Sequence, residues 1–208
     1  MKVSRAQAEA NRERVIDSSS RLFREHGFAG VGLNELMHSA GLTRGGFYRQ
    51  FESKQDLVGL ALAHALQENL ERWEAVVARA KKEPLREFVR SYLSDVHAEQ
   101  VSEGCALAAL APDAEREGEA VRAVFGEGVR ELAQLIEGML PTKGGVSRSD
   151  QAWACLASLV GALVLSRAVA NDVDAKAIRR ATGEMLLSLE HGARKRPAEA
   201  KPRAARNA

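Results

Sequence analysis

The segment between residues 33 and 57 constrains the fold of this chain more than any other part of it. Residues 33–40 read as a short helix with Leu36, Met37 and Ala40 on its buried side. Gly41 supplies a tight turn, Leu42 an apolar plug, and Thr43 an N-cap for a second short helix, Arg44-Gly45-Gly46-Phe47-Tyr48-Arg49-Gln50-Phe51. Phe47 and Phe51 stand four apart, on one face of that piece. Ser53-Lys54-Gln55-Asp56 is a capping box with Asp in place of Glu, and it opens a long helix running to about Lys82. Two short helices joined through a glycine turn form a helix-turn-helix.

The remaining chain continues in helical periods. Ala8, Val15, Ser19, Leu22 and Phe23 make a stripe over about 5–26, with Arg12, Glu13, Arg21 and Arg24 largely off it, so Arg21 and Arg24 are expected as solvated charges. Gly27 is placed to end this helix in a left-handed C-cap. Pro84 suits the first turn of a helix whose face carries Leu85, Phe88, Val89, Tyr92 and Val96. Gly104 and Pro112 bracket a short helical piece, and helices at about 118–140, 149–171 and 174–194 follow, the first two parted by a Pro-Thr-Lys-Gly-Gly loop. The expectation is an all-α protein of about nine helices and no strand.

Composition agrees, because Ala, Leu, Arg and Glu dominate and aromatic residues are only 5% of the 208. No apolar run approaches the roughly 18 residues of a membrane span, and the charged N-terminus lacks the apolar core of a signal peptide, which leads to an expectation of a cytoplasmic protein with no membrane partner. Two cysteines, Cys105 and Cys155, make no disulfide framework and match no metal spacing. The net charge of +2 is unevenly spread: residues 1–58 hold nine Lys/Arg against seven Asp/Glu, and residues 191–208 hold six against one. The stretch between is therefore acidic, and the basic ends suit a protein that meets nucleic acid. Gly126-Glu-Gly128 lies within a helical pattern and is no dinucleotide loop, and with no Walker motif or His-x-x-x-His pair an enzyme, a cofactor or a metal is not expected.

Gly27-Phe28…Leu33-Asn-Glu-Leu36…Ala40-Gly-Leu-Thr-Arg-Gly-Gly-Phe-Tyr-Arg-Gln-Phe-Glu-Ser-Lys-Gln-Asp-Leu57 resembles the N-terminal signature of the TetR family of repressors. The resemblance covers about residues 10–60. It implies a head at 1–53 that reads DNA and an effector-binding and dimerisation body at 54–195, while the tail, 196–208, rich in Ala, Pro and basic residues, reads as disordered. The chemistry of the matching residues is suited to that work. Gly45 and Gly46 permit close approach to a groove, and Arg44 can reach guanine edges or a phosphate. Tyr48 offers a rigid ring with a phenolic donor, Arg49 and Lys54 are placed for phosphates, and Thr43 caps the helix and can add a phosphate contact.

For the body the resemblance implies a homodimer formed through the last two helices and a pocket for a small-molecule inducer. Trp153, Leu156, Val160, Leu163 and Val164, with small residues Ala157, Gly161 and Ala162 and with Ile178, Met185 and Leu189, form the expected interface, although any one of them can instead face the protomer core. The segment Ser102-Glu-Gly-Cys105-Ala-Leu resembles a branch of the family in which a cysteine senses electrophiles or oxidants. Cys105 is thus either a sensor thiol or a small buried hydrophobe, and no Lys or Arg neighbours it in sequence. Phe88, Tyr92 and His97 are candidate pocket residues beside it, and Trp73, Phe125 and Trp153 further candidate walls, while Cys155 reads as packing. The function expected is a repressor that binds a pseudo-palindromic operator as a dimer and is released by an effector or by thiol modification. The competing reading is a DNA-anchored scaffold that binds a protein partner and senses no small molecule.

Overall fold

The computed structural model describes residues 4–141 and 146–192; the basic tail lies outside them. Among the described residues there are nine α-helices and one 3-10 helix, and no strand. In chain order they are α1 (Arg5–Gly30), α2 (Leu33–Ser39), the 3-10 helix η1 (Arg44–Arg49), α3 (Lys54–Arg79), α4 (Pro84–Tyr92), α5 (Asp95–Glu99), α6 (Ala106–Arg116), α7 (Glu119–Met139), α8 (Arg148–Ala168) and α9 (Asp172–Gly192). Side-chain caps start several of them. Ser4, Ser53, Ser94 and Ser147 each accept a hydrogen bond from the backbone N–H three residues on.

α1, α2 and η1 form the head, and α1 packs along both α3 and α6. α3 also packs on α4 and α7, and α7, α8 and α9 follow side by side. One cluster of buried apolar side chains runs from Val15, Phe23 and Phe47 in the head to Leu159 and Leu163 in α8. Head and body therefore share a core, and a displacement of α6 or α3 is felt by α1 directly.

Several local features depart from the helical pattern read in the sequence. Gly27 has φ +73° but ψ 169°, an extended left-side conformation open to glycine and not the left-handed helical cap expected, and helical turns resume as far as Gly30. Pro112 does not end its helix: α6 continues to Arg116 because Leu107, Leu110 and Ala114 share one buried face that holds it across the missing N–H. Val96 does not extend the α4 face. The chain turns at Leu93 and Ser94 caps the separate α5, leaving Val96 62% exposed. Arg24 is buried, contrary to the reading of it as a solvated charge; its guanidinium meets Glu68 of α3 at 3.3 Å. Arg21, half-exposed, pairs with Asp17 and with Glu103 ahead of α6.

α8 is long and apolar enough, by length and composition, to cross a membrane, with a mean hydropathy of 1.3. That is more than its sequence, broken by Ser158 and Gly161, led us to expect. Its inner face, Ala152, Cys155, Leu156, Leu159, Ala162, Leu163 and Ser166, is buried in a helical core against α7 and α9.

Candidate nucleic-acid interface and the buried centre of the body

The segment expected as a short α-helix is a 3-10 helix of six residues. Gly45 and Gly46 lower its helical propensity, and the first turn closes by a Gly46 N–H to Thr43 carbonyl bond of 3.0 Å, the tighter i to i+3 pattern. Thr43 stands at the N-cap but its hydroxyl makes no capping bond, so the cap expected there is backbone only. Phe47 and Phe51 anchor the piece: both are buried, with ring centroids 5.4 Å apart. Thr43, Arg44, Gly45, Tyr48 and Arg49 are exposed on the other side, and Gly46 is half-buried with Met37 beneath it. Tyr48 is 68% exposed, and a Cβ placed on Gly45 would meet nothing within 4 Å. A donor-rich, sterically open strip of this kind is what a groove-reading element needs.

Lys54 is placed differently from its neighbours. Its ammonium donates to the carbonyl of Phe28 at 2.6 Å and is half-buried, so in this structure it ties the start of α3 to the end of α1. Arg12, which the sequence places only off the buried stripe of α1, lies over the Phe51 ring at 5.2 Å and reaches the Gln50 carbonyl at the C-terminal end of η1. Ser53 caps α3, with Asp56 accepting from the Glu52 N–H, one residue earlier than a standard capping box.

Phe28 adds two backbone ties between the head and the body. Phe28 donates its N–H to Asp113 of α6 at 3.0 Å while its carbonyl holds Lys54. A Cβ at Gly27 would come within 2.8 Å of the same carboxylate, so glycine is required there both for its φ and for the contact. On the far side of this contact, Gln55 reaches Glu117.

In the body the structure brings Phe88, Tyr92, His97 and Cys105 together, with Trp73 at their centre. The Trp73 ring lies 5.4 Å from Phe88, 5.3 Å from Tyr92 and 5.1 Å from His97. Phe125, half-buried on α7, and Trp153, 42% exposed on α8, are not part of this group. His97 is fixed through both ring nitrogens: Nδ1 donates to the Tyr92 carbonyl at 2.5 Å and Nε2 accepts from the Cys105 N–H at 3.0 Å. An imidazole used as acceptor at Nε2 is neutral, and burial lowers its pKa to about 4. Asn69 accepts from the Ala106 N–H at 2.6 Å, which holds the start of α6 against α3.

Cys105 is buried at the N-cap of α6, and burial raises its pKa above the ordinary thiol value. The Tyr92 hydroxyl beside it is raised as well, first by burial and then by the thiol. A cation missed in the sequence does stand near. Arg167 of α8 donates to the carbonyls of His97 and Ala98, and its charge opposes both shifts without reversing them. Asn69 Nδ2 and Trp73 Nε1 are buried and have no hydrogen-bond partner among the described residues, whereas the Tyr92 hydroxyl faces the Cys105 thiol. A cavity of only about 10 Å³ adjoins Asn69 and Cys105, so the centre is closed. A groove of about 900 Å³ lies elsewhere, between α4, α5 and α9, where Val89, Leu93 and Ala177 are flanked by Arg86, Arg90 and Arg180. Cys155, packed in α8, has its pKa pushed up to about 12 by burial.

The face expected to dimerise divides in two. Leu156, Ala162 and Leu163 are buried in the protomer core, whereas Trp153, Ala157, Val164 and Met185 are exposed, with Val160, Gly161 and Ile178 half-buried between them. The side chain of Leu189 lies outside the described residues. An apolar stripe one helix long thus faces solvent on α8.

Comparison with known proteins agrees with this geometry. Residues 15–61 match the family described as bacterial regulatory proteins, tetR family. The HTH-type transcriptional regulator LmrA of Bacillus subtilis is 23% identical over 168 residues, covering 78% of this chain and 89% of that protein. The crystal structure of a TetR-family regulator from Cytophaga hutchinsonii shares the fold with a TM-score of 0.76 at 22% identity, over 93% of this chain and 98% of that one. The reduced form of Escherichia coli NemR does so with a TM-score of 0.72 at 19% identity, over 86% and 96% of the two chains. Residues 15–61 thus match the TetR family of bacterial regulatory proteins, and along nearly its whole length the chain shares the all-helical fold of TetR-family transcriptional regulators.

Proposed function

We propose that the protein is a homodimeric repressor that binds a pseudo-palindromic operator through η1 and is released by a small effector acting on the buried centre of the body. The observation that carries this reading is the division of η1 and its N-cap into a buried aromatic face and an exposed strip of Thr43, Arg44, Tyr48 and Arg49. Arg44 and Tyr48 are the proposed base-reading and groove-lining residues, with Thr43, Arg49 and the backbone of Gly45 and Gly46 on phosphates and Lys54 joining only if it leaves Phe28. The exposed stripe on α8, with Met185 of α9, supports a two-fold interface, which would place two copies of η1 on successive turns of one duplex face. Residues 1–53 serve as the reading head and 54–195 as the sensing and dimerising body.

Tyr92, Phe88, His97 and Cys105 are the proposed effector-sensing residues. Their unpartnered buried neighbours, Asn69 Nδ2 and Trp73 Nε1, support a centre that gains hydrogen bonds when it opens around a ligand. Because Cys105 is buried and its thiol is held in the neutral form, a non-covalent effector is favoured over direct thiol modification, which needs thiolate and access. An effector that binds the opened centre better than the closed one displaces α6, and Asp113 carries that shift to Phe28 of the head.

The test is a mobility-shift titration with DNA from upstream of the protein's own gene, with and without N-ethylmaleimide. A retarded band insensitive to the reagent is the expected result. Abolition of the band by the reagent, reversed in Cys105→Ser, would replace the non-covalent route with a thiol switch. Absence of any band at low salt, with a random duplex library also negative, would leave the scaffold reading in its place.

A further inference from the structure

The cleft between α1 and α3 holds side chains that neither DNA reading nor the buried centre uses. Two pairs, each one helical turn apart, face each other across it: Glu13 and Asp17 on α1, and His64 and Glu68 on α3, lining a cavity of about 520 Å³. Nε2 of His64 lies 3.6 Å from Asp17 Oδ1 and 3.6 Å from Glu68 Oε1, and the three ligand atoms all fall within 4.8 Å of one another. We propose that Asp17, His64 and Glu68 form a binding site for a divalent first-row cation of the zinc class, which would clamp the DNA-reading head onto α3.

The geometry is close to what such an ion requires. Bonds of about 2.0–2.2 Å to imidazole and carboxylate place the ligand atoms of a tetrahedral site about 3.3–3.6 Å apart. Two of the three separations are already at that upper value, and the third, within 4.8 Å, would have to shorten on binding. At 3.6 Å, Nε2 is too far from either oxygen for a good hydrogen bond, and it has no hydrogen-bond partner although the atom is shielded from solvent. An imidazole nitrogen set between two carboxylate oxygens at this spacing suits an ion better than a shared proton.

The surroundings orient these ligands. Arg24, its side chain only 1% exposed, holds Glu68 through Oε2 and leaves Oε1 turned toward His64. Arg21 donates to the same Asp17 Oδ1 at 3.3 Å, so a bound ion would displace it from that oxygen, and Arg21 would keep its ion pair with Glu103. Carboxylates steadied in this way by neighbouring donors are a regular feature of metal sites. One nitrogen with two carboxylate oxygens favours zinc, cobalt or nickel over magnesium and calcium, which take all-oxygen sets. The fourth position falls to water or to Glu13. The sequence reading did not single out the site: Asp17 is distant in the chain from the His64/Glu68 pair, and an i, i+4 pair on a helix face is by itself too common to mark a metal site.

The experiment uses the full chain without an affinity tag and titrates it with Co²⁺, followed by visible absorption, and with Zn²⁺, followed by calorimetry. The expected result is one equivalent per chain with the intense d–d bands of tetrahedral cobalt and no thiolate charge-transfer band. His64→Ala and Asp17→Asn should each weaken binding by tenfold or more with unchanged circular dichroism, while His38→Ala, at an exposed position on α2, leaves it intact. Zn²⁺ should raise the melting temperature of the wild type but not of His64→Ala. Equal binding by wild type and His64→Ala, a thiolate band marking the cysteines as ligands, or no stoichiometric binding would each overturn the site.

Discussion

In the head, Thr43, Arg44, Tyr48 and Arg49 face solvent from a six-residue 3-10 helix backed by Phe47 and Phe51. In the centre of the body the arrangement is inverted: Tyr92, His97, Cys105 and Asn69 are enclosed, and Asn69 Nδ2 and Trp73 Nε1 are buried without a partner among the described residues. A surface that reads a charged polymer keeps its donors hydrated and ready, and its glycines leave room for the partner's backbone. A centre that must respond to a small molecule does better with unspent hydrogen-bonding capacity kept away from water, since an entering ligand then gains bonds that the closed form lacks. Changes in the first region should alter binding and spare stability. Changes in the second should do the reverse.

The largest effect expected from this contrast is on Phe88, which is fully buried against Trp73 and Tyr92. Phe88→Ala should cost about 3–5 kcal/mol in urea denaturation. A loss below about 1 kcal/mol would mean that the centre is loosely packed. Next comes a pH effect. His97 has a folded-state pKa of about 4, below the roughly 6.5 of an unfolded histidine, so between these values the unfolded chain binds the extra proton. Its contribution is present above pH about 6.5 and lost as pH falls through about 4, on the order of 3 kcal/mol in all. Denaturation midpoints measured from pH 4 to 7 should show this slope, and His97→Gln should flatten it.

Arg44→Ala works in the opposite sense. It should cost about 1–3 kcal/mol in specific DNA affinity, a factor of roughly 5–150, with an unchanged denaturation midpoint. A fall in stability without a fall in affinity would assign Arg44 to structure and break the comparison at its first term. The smallest effect belongs to the exposed pair of Arg21 and Glu103, which joins α1 to the turn two residues ahead of Cys105. Glu103→Gln should change stability by no more than about 1 kcal/mol. If it nevertheless alters effector release, measured as the effector concentration that halves DNA binding, then this pair and not only Asp113 couples the regions.

How well each region was legible follows from how local it is. The head is written within some thirty consecutive residues, where Gly41, the Gly45-Gly46 pair, the Phe47/Phe51 spacing and the Ser53 cap all fall inside one or two turns of each other. The 3-10 form of η1 and the free Thr43 hydroxyl were finer points that helical periodicity does not resolve. The centre gathers Asn69 and Trp73 from α3, Phe88 and Tyr92 from α4, His97 from α5, Cys105 from the start of α6 and Arg167 from α8. Periodicity marked several of these as inward-facing, but nothing in the order of residues said that Arg167 would stand over Cys105. Arg24 was misread for the same reason: its partner Glu68 is on another helix, and a lone arginine beside an apolar stripe reads as solvated. Pro112 shows the limit of local signals, since burial of Leu107, Leu110 and Ala114 outweighs one lost hydrogen bond.

The central claim is that the exposed strip of η1 makes this chain a reader of double-stranded DNA. Its most direct test is selection of bound duplexes from a random library by the wild type and by the double variant Arg44→Ala/Tyr48→Ala, with circular dichroism and sedimentation run on both. The expected result is enrichment of one inverted repeat by the wild type and none by the variant, with helicity and oligomeric state the same. Enrichment of the same sequence by both proteins would contradict the account and move the reading surface away from η1.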